Sequence, residues 1–278
     1  MILIADSGST KTDWALVSVG SVDGRSTAAP SVIQTPGINP VHQTADAIRT
    51  SLPSVSAPVS AIYFYGAGCT SDRIPLMTSL LQDHFCTQQV EVSSDLLGAA
   101  RTLCGRSEGI ACILGTGANS GLYDGRHIVQ NTPALGYILG DEGSGAVLGR
   151  RFMNAIFKQP AFASLRDDFL ASAQLTQADI IQRVYREPMA NRFLASTSLY
   201  IGQHIGNPLL QQLVTDNFRD FFRNNVSPYG RRDLPVGFVG SMAHHYREQL
   251  EAAACMEGFV LGSIAKSPME GLIAYHAQ

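Results

Sequence analysis

Residues 1–17 read MILIADSGSTKTDWALV, and the order of their parts decides the fold. The apolar run Ile2–Ala5 leads into a turn of glycine and hydroxyl residues, Asp6-Ser7-Gly8-Ser9-Thr10-Lys11-Thr12, and Trp14–Val19 is apolar again. A phosphate loop of the G-x-x-x-x-G-K-[ST] type runs from a strand into a helix. Here the spacing differs and the second apolar run carries no helix signal, so the stretch predicts strand, turn, strand.

Outward from this hairpin, a third strand is predicted within Ser31–Thr35, ending at the turn Pro36-Gly37-Ile38-Asn39-Pro40. Val41–Leu52 has helical spacing, Ala61–Tyr65 reads as a strand ending at Gly66-Ala67-Gly68, and Asp72–Phe85 reads as a helix. Gln89–Val92 as a strand and Asp95–Cys104 as a helix complete a β-β-β-α-β-α-β-α order. At Gly109 the pattern restarts. Ile110–Leu114 is an apolar strand, Gly115-Thr116-Gly117-Ala118-Asn119-Ser120 is a second glycine and hydroxyl turn, and Gly121–Tyr123 and His127–Gln130 read as strands. The recurrence of strand, polar glycine turn and return strand implies a diverged duplication. Residues 142–158 and 164–226 read as mostly helical. Val236–Val239 is a strand followed by Gly240-Ser241 and a helix through about Ala254. Gly258–Ile264 reads as the last strand, and Pro268, behind a Ser267 cap, as the first position of a final helix.

The chain has 278 residues, 45% hydrophobic and 15% charged, with a net charge of −3, so it can build a large core. That balance gives no reason to expect nucleic acid or membrane as a partner, and no apolar stretch is long enough to span a bilayer. No basic segment precedes the first apolar residues, so no signal peptide is expected and the expected location is cytoplasmic. The five cysteines are scattered without a C-x-x-C pair, which predicts buried free thiols rather than a disulfide framework or zinc site. Adjacent His244 and His245 would point about 100° apart on a helix and could not easily share an ion.

Two hairpin tips carrying backbone amides and hydroxyls can bracket a chain of phosphates, although each alone suits an ordinary tight turn equally well. Asp6, ending the first strand, is placed to hold a hydrated Mg²⁺, and Lys11 to add positive charge. Asp95, before a helix beginning Leu96-Leu97-Gly98, suits a helix cap. Asp141-Glu142 suit a helix start through the macrodipole, the usual reading of adjacent acids there, and carboxylates at such a glycine-lined corner also suit the acceptance of sugar hydroxyls.

The set DSGSTKT (6–12), GTGANS (115–120) and VGSMA (239–243), in that order, resembles the phosphate-one, phosphate-two and adenosine motifs of the actin-like ATPase and sugar-kinase superfamily. SSDLLGA (93–99), LGYILGDEGSG (135–145) and SPMEGLIAYH (267–276) are similar to the BadF/BadG/BcrA/BcrD-type ATPase family and its N-acetylglucosamine kinase branch. The resemblance covers nearly the whole chain. It implies an α/β, two-domain actin-like (ribonuclease H-like) fold, each domain a mixed sheet flanked by helices, with an interdomain cleft. The expected domains are 1–114 plus 259–278, and 115–258.

The same resemblance implies ATP and Mg²⁺. ATP would be held by Asp6, Gly8, Ser9, Thr10, Lys11, Thr12, Gly115, Thr116, Gly117, Gly240 and Ser241, with Asp6 on the metal through water. It makes Asp95 the general base and gives Asn39, Gly66, Asn119, Gly136, Tyr137 and Asp141 to the sugar. Tyr137 stands where those relatives carry tryptophan. The implied activity is phosphorylation of an amino sugar, N-acetylglucosamine at its 6-hydroxyl. N-acetylmuramic acid (with Arg126 or Arg150 for its carboxylate), glucosamine, or an ATPase coupled to electron transfer are the alternatives. A homodimer is left open as the protein partner.

Overall fold

The computed structural model describes residues 1–8, 10–18 and 31–277. Ser9, expected to contact phosphate, and Val19, the expected end of the second strand, lie outside the described residues. The chain divides into two compact units: residues 1–108 with 123–128 and 267–278, and residues 109–122 with 129–266.

The first unit runs β1 (Ile2–Ser7), β2 (Lys11–Val17), β3 (Ser31–Pro36), α1 (Ala45–Ser51), β4 (Ala61–Gly66), α2 (Ile74–Phe85), β5 (Val90–Ser94) and α3 (Asp95–Cys104), the order expected. Its sheet is ordered β3-β2-β1-β4-β5. β2 pairs antiparallel with β1 and β3, while β1, β4 and β5 run parallel. β1 is central because Leu3, Ile4 and Ala5 are apolar on both faces and fully buried, as a strand covered on both sides requires. On one face Trp14 packs against Phe64 and Phe85, with ring centroids 5.7 and 6.0 Å away, and donates Nε1 to Thr35 Oγ1 at 2.9 Å.

The second unit continues with β6 (Gly109–Leu114), β7 (Ala118–Tyr123), β8 (Ile128–Thr132), α4 (Gly136–Leu139), α5 (Gly145–Lys158), α6 (Ala163–Ala173), α7 (Gln177–Tyr185), α8 (Ala190–Gln203) and α9 (Pro208–Phe221). A π-helical turn, Phe222–Val226, extends α9. β9 (Val236–Val239), α10 (Ser241–His245), α11 (Arg247–Glu257) and β10 (Leu261–Ala265) follow, and α12 (Met269–His276) returns to the first unit. The second sheet is ordered β10-β9-β6-β7-β8. Numbering the strands within each unit, both sheets read third-second-first-fourth-fifth, which is the topology a duplication leaves. Phe221, Phe222 and Phe238 are fully buried in its core, with Phe259 stacked on Phe222 at 5.2 Å.

Several boundaries differ from expectation. β6 and β10 both pair with β9, so the breaks fall at 108 and 267 rather than 114 and 259. α1 starts at Ala45 because Asn39 and Gln43 close a local turn and Thr44 caps the helix. α2 starts at Ile74, with a proline in its first turn. The helix expected through Ala254 breaks at Tyr246, and Pro268 is the cap of α12 rather than its first residue. All five cysteines are free, but only Cys69 and Cys112 are buried; Cys86 and Cys255 are exposed. Among the described residues, no helix is long and apolar enough to cross a membrane.

Candidate active site

In open sheets, ligands gather at the carboxyl ends of parallel strands. The register of the first unit brings three expected site residues to that edge. Ser7 pairs with Gly66 and Gly66 with Ser94, so Asp6, Gly66 and Asp95 stand at neighbouring ends of β1, β4 and β5. Asp6 is largely buried, and among the described residues no donor bonds its carboxylate. Burial first, then the charges of Asp95 and Asp13, push its pKa up to about 7 against the pull of Lys11. A buried carboxylate without a donor fits a hydrated divalent cation, which would supply the missing positive charge.

The rest of the hairpin is divided between tip and base. Gly8 donates its amide to the Lys11 carbonyl at 3.0 Å, and Gly8, Thr10 and Lys11 are exposed. Thr12 was expected to contact phosphate, but it is fully buried. Its Oγ1 meets Ser7 Oγ at 2.7 Å and donates to the Pro36 carbonyl at 3.2 Å, so this hydroxyl secures the fold. Ser7 Oγ in turn joins the carbonyl and amide of Ile38, both at 2.9 Å. The Lys11 ammonium lies 2.8 Å from Asp13, which also accepts from Gln34 at 2.7 Å.

The two roles open to Asp95 separate in the structure. Ser94 is the cap of α3, its Oγ accepting from the Leu97 amide at 3.2 Å. Asp95 is the first helical residue; its Oδ1 accepts from the Leu96 amide at 2.8 Å, which leaves Oδ2 for other work. Burial raises its pKa, partly offset by bonds from the Leu96 and Asp95 amides. Nearby, Asn39 Oδ1 accepts from the Val41 amide at 3.0 Å. A Cβ on Gly68 (φ +77°) would come within 2.2 Å of that oxygen, so this unpredicted glycine makes room for Asn39. Gly66 is explained by packing, because a Cβ there would meet Phe64 at 2.6 Å and Cys69 Sγ at 3.0 Å.

In the second unit the turn Gly115-Thr116-Gly117 has its carbonyls drawn inward. Gly115 and Thr116 accept from the amides of Gly145 and Ala146, at the start of α5, at 2.8 and 3.1 Å. The amides of Thr116 and Gly117 find no acceptor among the described residues, which suits an anion. Gly115 faces open space, whereas a Cβ on Gly117 would lie 3.1 Å from Asp141 Oδ2. Gly115 thus borders open space, and Gly117 borders Asp141. Gly240 (φ +125°) follows β9, where a Cβ would come within 2.3 Å of the Leu114 carbonyl.

A cavity of about 240 Å³ opens over these strand ends, lined by Gly115, Thr116, Ser241 and Met242 and, from α8, by Arg192 and Leu199. It lies just below the roughly 300–1,000 Å³ of sites for drug-sized ligands, which gives room for a nucleobase. Leu199, 72% exposed, forms an apolar wall of that cavity. Nothing in the sequence of α8 marked it, since its lining residues are ordinary helix residues brought there by packing.

Asp141 has φ 54° and accepts from the Ala118 amide through Oδ1 at 3.3 Å. Burial raises its pKa, with Ala118 acting against that rise and Glu142 adding to it. Asn119 Oδ1 accepts from the Ser120 amide and from Asn131 Nδ2, both at 2.9 Å, so its own NH₂ is left to donate. A directed donor and a directed acceptor suit hydroxyl groups. Glu142 has other work, accepting from Asn224 and Asn225 at 3.0 and 3.2 Å. Gly136 (φ +73°) opens α4, and Tyr137 is half-buried against the core. Arg150 donates to the carbonyls of Tyr137 and Ile138 at 2.8 and 3.0 Å, which ties its guanidinium to α4. Asn131 and Asn225 escaped the sequence reading because neither sits in a glycine turn.

Among known proteins, the chain is similar to a solved structure from Porphyromonas gingivalis provisionally named an N-acetylglucosamine kinase. The identity is 49%, over 100% of this chain and 99% of that one, with a TM-score of 0.90. A Chromobacterium violaceum protein with the same provisional name is 19% identical over 100% and 99%, with a TM-score of 0.69. ROK hexokinase from Thermus thermophilus is 15% identical over 99% and 96%, with a TM-score of 0.56. The last two likenesses bear on the fold alone, and with the two mixed five-stranded sheets they bear out the expected actin-like architecture. No family model and no curated protein matches the chain.

Proposed function

The chain belongs to the same sugar-kinase family as the Porphyromonas gingivalis protein, and on that premise we propose that it is an ATP-dependent kinase of an amino sugar, N-acetylglucosamine phosphorylated at its 6-hydroxyl. The BadF/BadG affiliation rests on the sequence motifs. The observation that carries the reading is Asp95: half-buried, relieved of capping by Ser94, and bonded at Oδ1 by the Leu96 amide. A carboxylate so placed accepts the proton of an attacking hydroxyl at Oδ2, and its raised pKa strengthens it as a base.

The residues present fit the implied nucleotide and cation. Gly115–Gly117 with Gly240 and Ser241 would hold the nucleotide, and Asp6 would hold Mg²⁺ through water. When bound, these supply the phosphoryl group and the neutralisation of its charge. Asn119 donates to a sugar hydroxyl and Asp141 accepts from one, which orients the sugar.

The test is ADP release by the purified chain with N-acetylglucosamine, glucosamine and N-acetylmuramic acid in turn. N-acetylglucosamine should give the highest kcat/KM, and Asp95→Asn should abolish turnover while leaving ATP affinity within a few fold. Retained turnover in Asp95→Asn, or no sugar-dependent ADP release at all, would remove this reading.

A further inference from the structure

Asn119 and Asp141 lie on different elements, yet bonds beside both converge on the π-helical turn. On the β7 side, Ser120 Oγ, next to Asn119, donates to the Asn225 carbonyl at 3.1 Å and meets the Tyr229 hydroxyl at 2.7 Å. Thr132 of β8, next to Asn131, donates Oγ1 to the same carbonyl and its amide to Tyr229 Oη, both at 3.0 Å. On the other side, Glu142, next to Asp141, accepts from the side chains of Asn224 and Asn225. Gly143 (φ +80°) seals the contact, since a Cβ there would lie 2.9 Å from Phe221 Cβ.

Asn225 is 3% exposed and uses both of its polar ends. Its carbonyl holds β7 and β8, and its side-chain amide holds the loop of Asp141. The end of the helix provides this: the π turn passes into the short 3-10 turn Ser227–Tyr229 and stops at Gly230, and carbonyls in the last turn of a helix lack intrahelical partners. A satisfied buried network of this kind fixes geometry rather than merely adding stability.

We propose that the π-helical turn, with Asn225 as its hub, is a positioning element that sets the spacing of Asn119 and Asp141 for two sugar hydroxyls. The inference rests on the reading of those two residues given above. Asn225 touches no substrate; it acts through Ser120 and Glu142.

The test uses the full chain, with N-acetylglucosamine as the sugar. Asn225→Asp places a carboxylate against Glu142 and should raise the sugar KM about tenfold, within the range of couplings in one hydrogen-bond network. The KM for ATP should stay within about twofold, a split that general loosening of the unit would not produce. Adding Glu142→Gln reverses the polarity of the bond: the new amide donates to the new carboxylate, and its oxygen still accepts from Asn224. The pair should recover the sugar KM to within about threefold of the parent.

An unchanged sugar KM in Asn225→Asp, or a joint rise of both KM values without recovery in the pair, overturns the proposal. If Asn225→Asp does not fold, Glu142→Gln alone decides, at a residue that is only half-buried. A severalfold higher sugar KM with an unchanged ATP KM supports positioning, and an unchanged sugar KM overturns it. Asn119→Ala and Asp141→Ala separate the two layers of the argument. If both leave the sugar KM unchanged, the hydroxyl-binding reading fails and the proposal falls with it. If they raise it while the Asn225 and Glu142 variants do not, only the positioning role fails.

Discussion

Asp6→Asn should stabilise the metal-free protein, by an amount that grows with pH. Burial and the charges of Asp95 and Asp13 move the Asp6 carboxyl from 3.8 to about 7, with Lys11 opposing. In the unfolded chain the same group titrates near its ordinary value. The folded state therefore holds this proton more tightly than the unfolded state. The resulting stability is fully present below the unfolded pKa of 3.8 and is lost as pH rises through about 7. At about 1.4 kcal/mol per pKa unit, the full effect is roughly 4 kcal/mol, a ceiling because Asp6 keeps some contact with water.

Asparagine does not ionise, so the variant should match the parent near pH 4, gain on it between about pH 4 and 7, and hold a constant lead above. Trp14 reports the transition. It is the single tryptophan, fully buried, and it stands opposite Ala5 in the strand beside β1. Urea unfolding in chelator, followed by its fluorescence across this pH range, gives both the midpoint and the slope. Mg²⁺ should then stabilise the parent at pH 8 and leave Asp6→Asn unmoved. A stability difference that stays flat with pH would refute the account of Asp6 as a buried charge awaiting a cation.

Thr12→Val should lower stability by about 1–3 kcal/mol, because it removes the bonds to Ser7 Oγ and the Pro36 carbonyl, and should leave the ATP KM nearly unchanged; a large rise in ATP KM at constant stability would return Thr12 to the phosphate contacts. Gly115→Ala and Gly117→Ala should divide the substrates between them. The first intrudes on the nucleotide side and should raise the ATP KM, while the second presses on Asp141 and should raise the sugar KM about tenfold. Steady-state kinetics with each substrate varied will read this, and the opposite pattern would overturn the assignment of the two faces.

The elements legible in the sequence were those whose signal is local. The run Ile2–Ala5 could only be a buried strand, and Asp95–Cys104 carries its own cap, so β1 and α3 fall where expected. The domain boundary at Gly109 was harder to read, because an apolar strand such as Ile110–Leu114 does not disclose which sheet it joins. Side-chain direction was not legible either. Thr10 and Thr12 look alike in the sequence, but the alternation of β2 turns Thr12 inward onto Ser7. Asn131, Asn225 and the α8 wall became visible only through contacts between residues 11 to more than 80 positions apart.

The repeated strand order explains why the two units carry different chemistry. Each sheet presents the same three parallel strand ends, where ligands gather. In the first unit the crossover from the third to the fourth strand, β3 to β4, contains α1 alone. Its strand ends therefore keep what the hairpin and α3 supply, the carboxylates of Asp6 and Asp95. In the second unit the corresponding crossover, β8 to β9, contains α4 through α9 and the π turn. That insertion lays α8 over Gly115 and Ser241 to form the cavity, brings Asp141 beside Gly117, and ends in the turn that holds Glu142. The cavity over Gly115 and Ser241 and the approach of Asp141 to Gly117 are thus products of the insertion on a duplicated core. The glycine turns that resembled one another in sequence thus differ in their surroundings, because α8 lies over Gly115 and Thr116.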